Sequence, residues 1–175
     1  MISKVLKNQY YSMYKNVYNF IINILPDDFF SNQYIRPFIA SCFGLKHSEK
    51  CYIRKKIYYV YPERIELGDK VYLGPRNYFD ALEKITIGNN VTLGPRCTLI
   101  TGTHTIGTSE KRIGETIAKP ITIEDGCWIG ASVFIGPGVT VGSGSIVSSG
   151  AVVMRSMPPN SMIAGNPARA IKKLD

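Results

Sequence analysis

Between Ile121 and Pro167 an aliphatic residue returns every six positions: Ile123, Ile129, Ile135, Val141, Val147 and Val153. Two residues before each stands another apolar or small residue: Ile121, Cys127, Val133, Val139, Ser145 and Ala151. Gly130, Gly136 and Gly142 follow three of the aliphatic positions. A helical face returns after three or four residues, so this period excludes a helix. Units of one short strand and one tight turn build a solenoid, and the turns demand small residues. Three units close a triangular coil of 18 residues, a spacing met between Ile123 and Val141. Coils stack by parallel strand pairing at about 4.8 Å. A β-sandwich would space its strands at about 8–12 residues and would not hold one phase.

The phase extends upstream. The aliphatic or aromatic position runs Ile53, Tyr59, Leu67, Leu73, Phe79, Ile87, Leu93 and Leu99 before Ile123. Most steps are six residues, but every third one is longer: Tyr59 to Leu67, Phe79 to Ile87, and Leu99 to Ile123. All three insertions therefore fall at one corner of the triangle. The longest, Gly102 to Pro120, reads GTHTIGTSEKRIGETIAKP, is polar and leaves the repeat entirely. A long excursion from a compact domain is usually functional or disordered. His104 sits at its start, and Asp80 occupies the same corner one coil below. A carboxylate near the root of a histidine-bearing loop is a site-like arrangement.

Ahead of the repeat, residues 2–25 read as an amphipathic helix. Leu6, Tyr10, Met13, Val17, Phe20, Ile21 and Ile24 form one apolar face, and Pro26 ends the run. A second helix is predicted around Ile35 to Phe43, with Pro37 in its first turn and Gly44 as its stop. Residues 1–60 carry nine Lys/Arg against three Asp/Glu, and nine of the eleven tyrosines precede residue 62. Such a segment suits a cap on the solenoid end, packing on a partner subunit, or peripheral contact with a membrane. Cys42, Cys51, Cys97 and Cys127 form no CxxC pair, and Cys97 and Cys127 fall on inward positions, so a reducing compartment is expected. Phe20 to Leu25 is too short to span a bilayer, and we read no signal peptide. The excess charge brings no nucleic-acid reader motif with it.

Four stretches carry a family resemblance: YLGPRNYFDALEKITIGNNV, LITGTHTI, KPITIEDGCWIGASVFIGPGVTVGSGSIVSSGAVV and MPPNSMIAGNPARAIKKL. Together they resemble the hexapeptide-repeat acyltransferases, over about residues 50–173. The resemblance is closest to the sugar O-acetyltransferases of the galactoside, maltose and colanic-acid exopolysaccharide types. It implies an all-β solenoid, a left-handed parallel β-helix. The expected organisation is a helical segment over 1–49, the β-helix over 50–165 with its loop at about 102–120, and a basic tail over 166–175.

The resemblance also implies chemistry. His104 matches the family's general base, and Asp80 falls close to a carboxylate that holds the acceptor sugar. A sugar hydroxyl is a poor nucleophile near neutral pH, and a neutral imidazole can take its proton as it attacks a thioester. Acetyl-CoA contacts carry over to Ala131, Ser149, Met154, Arg155 and Arg169. Ala131 and Ser149 lie one coil apart, and their small size leaves room for a pantetheine arm whose amides their backbone could bond. Arg155 and Arg169, with Lys172 and Lys173 nearby, offer charge for the CoA phosphates. The family more often has Thr-Lys where this chain has Met154-Arg155. Where galactoside enzymes place an acceptor asparagine, the repeat register puts Gly74, not Asn77. The family implies a homotrimer with sites between subunits, a cytoplasmic setting that extends to the inner membrane face, and no metal. An amino sugar, a serine hydroxyl or an antibiotic remains an alternative acceptor, and a non-catalytic trimeric scaffold the least favoured reading. A γ-type carbonic anhydrase needs three zinc-binding histidines, and the chain has two.

Overall fold

The computed structural model describes residue 13 and residues 16–175. Short parallel strands stack into three faces. The first face holds Lys46–His47, Ile65–Leu67, Ile85–Ile87, Ile121–Ile123 and Thr140–Val141. The second holds Tyr52–Ile53, Tyr72–Leu73, Thr92–Leu93, Trp128–Ile129, Ile146–Val147 and Ser161–Gly165. The third holds Tyr58–Val60, Tyr78–Asp80, Thr98–Ile100, Phe134–Ile135 and Val152–Val153. Pairing is in register, as in Ile65 to Ile85 to Ile121. Every position of the sequence phase from Ile53 to Val153 is buried. These side chains form one axial core, each fully buried aliphatic contributing about 1.5–3 kcal/mol against exposure.

Three corners separate the faces, and the third, between third and first face, is the elaborated one. It carries the turn Pro62–Arg64, the segment 81–84, and then a two-stranded antiparallel hairpin, Gly102–Ile106 with Ile113–Ala118. The expected long loop is thus a β-hairpin. It is rooted in the solenoid: Thr101 N–H and Oγ1 both donate to the Asp80 carbonyl at 3.0 Å, and Lys119 N–H donates to the Thr101 carbonyl at 3.0 Å.

The N-terminal segment departs from the sequence reading. Most of the 2–25 stretch, with Leu6 and Tyr10, lies outside the described residues; 16–24 is helical and ends just before Pro26. Of the face read as apolar, Met13, Val17, Phe20 and Ile24 are exposed and Ile21 is half-buried. Tyr18, Asn19 and Ile22 face the solenoid instead. The reason is the strand the helix covers. The lowest coil offers unpaired backbone groups, which need polar partners. Asn19 Nδ2 donates to the Tyr59 carbonyl at 3.0 Å and its Oδ1 accepts from Tyr59 N–H at 3.0 Å. Asn23 Nδ2 donates to the Ile57 carbonyl at 3.0 Å. The second helical run starts earlier than predicted, at 29, passes through a π turn over Ser31–Ile35 and ends as the α-helix Arg36–Cys42, with Pro37 in its first turn. Gly44 follows at φ +94°. Among the described residues no helix is long and apolar enough to cross a membrane.

The stretch read as a basic tail is not free. Ala168–Lys173 pairs antiparallel with Ser161–Gly165 and closes the second face. Cys51, Cys97 and Cys127 are buried free thiols and Cys42 an exposed one. Burial pushes the three buried thiols up, away from reactive thiolate.

Candidate active site

Asp80 ends a strand of the third face, half-buried, with its side chain on the outer surface. Burial, then the Asp80 charge, then Tyr58 push the Tyr78 phenol up. The Asp80 backbone carbonyl anchors the hairpin through Thr101, so Asp80 and the hairpin root are fixed to one another. His104 lies two residues into the hairpin, opposite Thr116, and is exposed. Its Nδ1 sits 3.5 Å from Thr116 Oγ1. In the tautomer that carries its proton on Nδ1, that N–H faces the hydroxyl and the lone pair lies on Nε2, which has no hydrogen-bond partner among the described residues. An imidazole so presented can accept a proton from a hydroxyl brought to it.

Ala131 and Ser149 stack on the second corner, between second and third face. Ala131 N–H donates to Ser149 Oγ at 3.1 Å, and Gly150 N–H donates to the Ala131 carbonyl at 2.8 Å. This qualifies the expectation that both backbones serve a ligand: the Ala131 amide is already engaged. A Cβ on Gly130 would come within 2.6 Å of Ser149 N, so only glycine lets these coils close. The result is a flat edge of small residues on which an extended chain can lie.

Met154 and Arg155 belong to the third corner of the last coil, both exposed. The Met154 sulfur covers Gly136, where a Cβ would meet it at 2.8 Å. Arg169 sits on the terminal strand opposite Ala164 and donates to the Ala168 carbonyl at 2.8 Å. Lys172 and Lys173 line a cleft of about 540 Å³ with Pro158, Pro159 and Ser161. One chain therefore brings His104 and Asp80 to the third corner, and Ala131 and Ser149 to the second. The third face lies between the two pairs.

Sequence reasoning assigned no role to Trp128, which is 57% exposed on the second face, three residues before Ala131. Its signal was present: it is the chain's one tryptophan and precedes an inward Ile129, a position that must face out. Thr116 was also unassigned, because its pairing with His104 depends on hairpin register.

A family description, bacterial transferase hexapeptide (six repeats), matches residues 120–155. Over 138 residues the chain is 34% identical to an Escherichia coli (strain K12) protein whose name gives it as a colanic acid biosynthesis acetyltransferase, WcaF; the match covers 79% of this chain and 74% of that one. A Dictyostelium discoideum protein named as an acetyltransferase is 53% identical over 76 residues, 43% of this chain and 40% of the relative. Among solved structures, a maltose O-acetyltransferase of Clostridium difficile 630 superposes with a TM-score of 0.80 at 29% identity, over 98% of this chain and 88% of that one. A Vibrio cholerae O1 biovar eltor hexapeptide-repeat acetyltransferase, complexed with acetyl-CoA, gives 0.77 at 28% identity over 95% and 88%. A galactoside acetyltransferase in complex with coenzyme A gives 0.84 at 26% identity over 95% and 82%.

Proposed function

This chain belongs to the hexapeptide-repeat acetyltransferases, and from that premise we propose that it moves an acetyl group from acetyl-CoA to a hydroxyl of a sugar or glycan precursor. The observation that carries the reading is the rooted hairpin, which sets the exposed His104 on the same corner as Asp80. Two of the similar structures carry acetyl-CoA or CoA, and the names of similar proteins point to sugars and a polysaccharide.

In this reading Asp80 accepts a hydrogen bond from an acceptor hydroxyl and orients the sugar. His104 Nε2 takes the proton of the reacting hydroxyl. The freed oxygen bonds to the thioester carbonyl carbon, and the C–S bond breaks as the tetrahedral intermediate collapses. The imidazolium then returns its proton to the departing CoA sulfur. Ser149 and Ala131 line the pantetheine arm, and Met154, Arg155 and Arg169 meet the nucleotide end. Trp128 offers the sugar an aromatic face beside the thioester. His104 and Ala131 stand on different corners, so the complete site joins the third corner of one subunit to the second corner of the next, in a homotrimer.

Release of CoA thiol from acetyl-CoA, measured against a panel of sugars and sugar conjugates, tests this. We expect acceptor-dependent release that falls about 10²-fold or more in His104→Ala. Release that the substitution leaves unchanged moves the chemistry elsewhere. Acceptor dependence confined to amines, serine or an antibiotic replaces the sugar reading.

A further inference from the structure

Lys56, Arg76 and Arg96 occupy one position in three successive coils of the second corner. Arg76 N–H donates to the Lys55 carbonyl at 3.2 Å, Arg96 N–H to Pro75 at 3.0 Å, and Ser132 N–H to Pro95 at 2.8 Å. Residues 56, 76, 96 and 132 therefore form one column at the coil spacing of about 4.8 Å. All three basic side chains are exposed, and none belongs to an ion pair among the described residues. Each takes a left-handed backbone, with φ of +61°, +63° and +61°. Glycine or asparagine is the low-cost occupant of such a turn. The first corner follows that rule with Asn90, Gly126, Gly144 and Asn160 and departs from it once, at Lys70, whereas the second sets a cation there three times in a row. Like charges one coil apart repel, so the column destabilises the bare protein and is relieved by an anion.

The column borders a cleft of about 420 Å³ walled by Pro75 and Pro95. The one acid in that wall, Asp27, is already bound by Arg54 at 2.9 and 2.6 Å, and these bonds hold its carboxyl far below the usual range. The cleft is thus left with the unbalanced charge of Lys55 and the column. Tyrosine pairs flank it on both faces: Tyr52 with Tyr72, and Tyr58 with Tyr78, each stacked at 5.5 Å.

The column also lies in line with the proposed donor track, and this inference rests on that reading. If the CoA phosphates meet Arg155 and Arg169 in the last coils, the pantetheine descends from Ser149 to Ala131. The acetyl end then points at the next coil down, Pro95–Arg96. The acceptor must meet it there, with its remaining body beside Arg76 and Lys56. We propose that the acceptor is a glycosyl diphosphate, and that Lys56, Arg76 and Arg96 grip its diphosphate in the cleft while the sugar reaches up to the thioester. A guanidinium fork matches phosphate oxygens in pairs. The diphosphate could belong to a nucleotide sugar or to a lipid-linked sugar; both present the same anion.

The first arm is binding. Inorganic pyrophosphate is titrated calorimetrically into the intact protein saturated with CoA, and into Arg76→Asn/Arg96→Asn, since asparagine tolerates the left-handed turn. We expect binding to the wild type that is at least about tenfold weaker in the double variant. Lys70→Asn, which changes a cation at a left-handed turn of the first corner, should bind like the wild type. Pyrophosphate that binds only when CoA is absent, or a double variant that loses affinity for acetyl-CoA, would assign the column to the donor phosphates and overturn the proposal. Binding indifferent to the substitutions would also overturn it. The second arm is turnover, comparing nucleotide diphosphosugars, lipid diphosphosugars in detergent, and the matching free sugars. We expect KM for the diphosphosugar to rise in the double variant while KM for acetyl-CoA holds, and the preferred carrier names the source. Equal turnover of free sugars overturns the proposal. Column-dependent pyrophosphate binding without transfer to any acceptor instead sinks the transferase reading and leaves the anion site standing.

Discussion

Gly74 limits what the second corner can present. A Cβ there would lie 2.7 Å from the Gly94 carbonyl carbon and 2.8 Å from its oxygen, so an asparagine cannot occupy this rung without parting the coils. Asn77, the nearby alternative, is buried and spends its Oδ1 on Cys97 N–H at 2.7 Å. If the proposed acceptor binds along this edge, its recognition falls to longer side chains that start at the turn, which is where Arg76 stands. At the foot of the same edge Asp27 has a measurable role. Hydrogen bonds from Arg54 foremost, with one from Asn32, depress its carboxyl well below the ordinary carboxylate range. A carboxyl depressed by folding contributes stability that is fully present above its unfolded value, about 3.9. That contribution is lost as pH falls below that value and through the folded one. Asp27→Asn should therefore lower stability near neutral pH by about 1–2 kcal/mol, discounting for partial exposure. Thermal unfolding from pH 7 down to 2 checks this: wild type and variant should converge at the acid end. Parallel curves would show that the Arg54 pair does not hold the segment in place.

At the scale of elements, two devices are independent of each other. Arg36 fastens the helical segment: fully buried, it donates Nε to the Ile22 carbonyl at 3.1 Å and Nη2 to Leu25 and Pro26 at 2.7 and 3.0 Å. A cation at these carbonyls satisfies a helix C-terminus electrostatically. The hairpin, by contrast, hangs from the third corner by Thr101, Lys119 and Asp80, outside the axial core. Replacing 102–119 by a two-residue turn should leave the thermal midpoint within a few degrees, as long surface insertions add little closure cost. The same excision should abolish acetyl transfer while CoA binding persists, measured by calorimetry and thiol release. The solenoid, its phase and this insertion were legible in sequence because the repeat is one-dimensional: each inward residue reports its own coil. The helix face was not legible. Hydropathy alone selected Val17, Phe20 and Ile24, whereas the open strand of the lowest coil selected the amides of Asn19 and Asn23. Nor was the basic column read, although GPR recurs at 74–76 and 94–96, because its meaning needed the left-handed turn to put both arginines outward.

For the whole molecule, the separation of His104 from Ala131 across the third face decides how many chains make one site. A solenoid chain is rigid, since each coil is bonded to the next along three faces, so bending cannot bring the second and third corners together. Chemistry that uses both needs a neighbour, and in the proposed homotrimer closed threefold packing would supply each second corner with a partner's hairpin. Sedimentation should then give a mass near three times 19.5 kDa. A functional test separates shared sites from mere association. His104→Ala removes the proposed base, and Ala131→Phe obstructs the proposed donor edge, so each variant alone should be inactive. Co-expressed in equal amounts, the two chains mix at random, and about a quarter of interfaces join an intact His104 to an intact Ala131 edge. Recovery of about a quarter of wild-type turnover per site is therefore expected from the mixture. If each site lay within one chain, every chain would still carry one defect and the mixture would stay as inactive as its components.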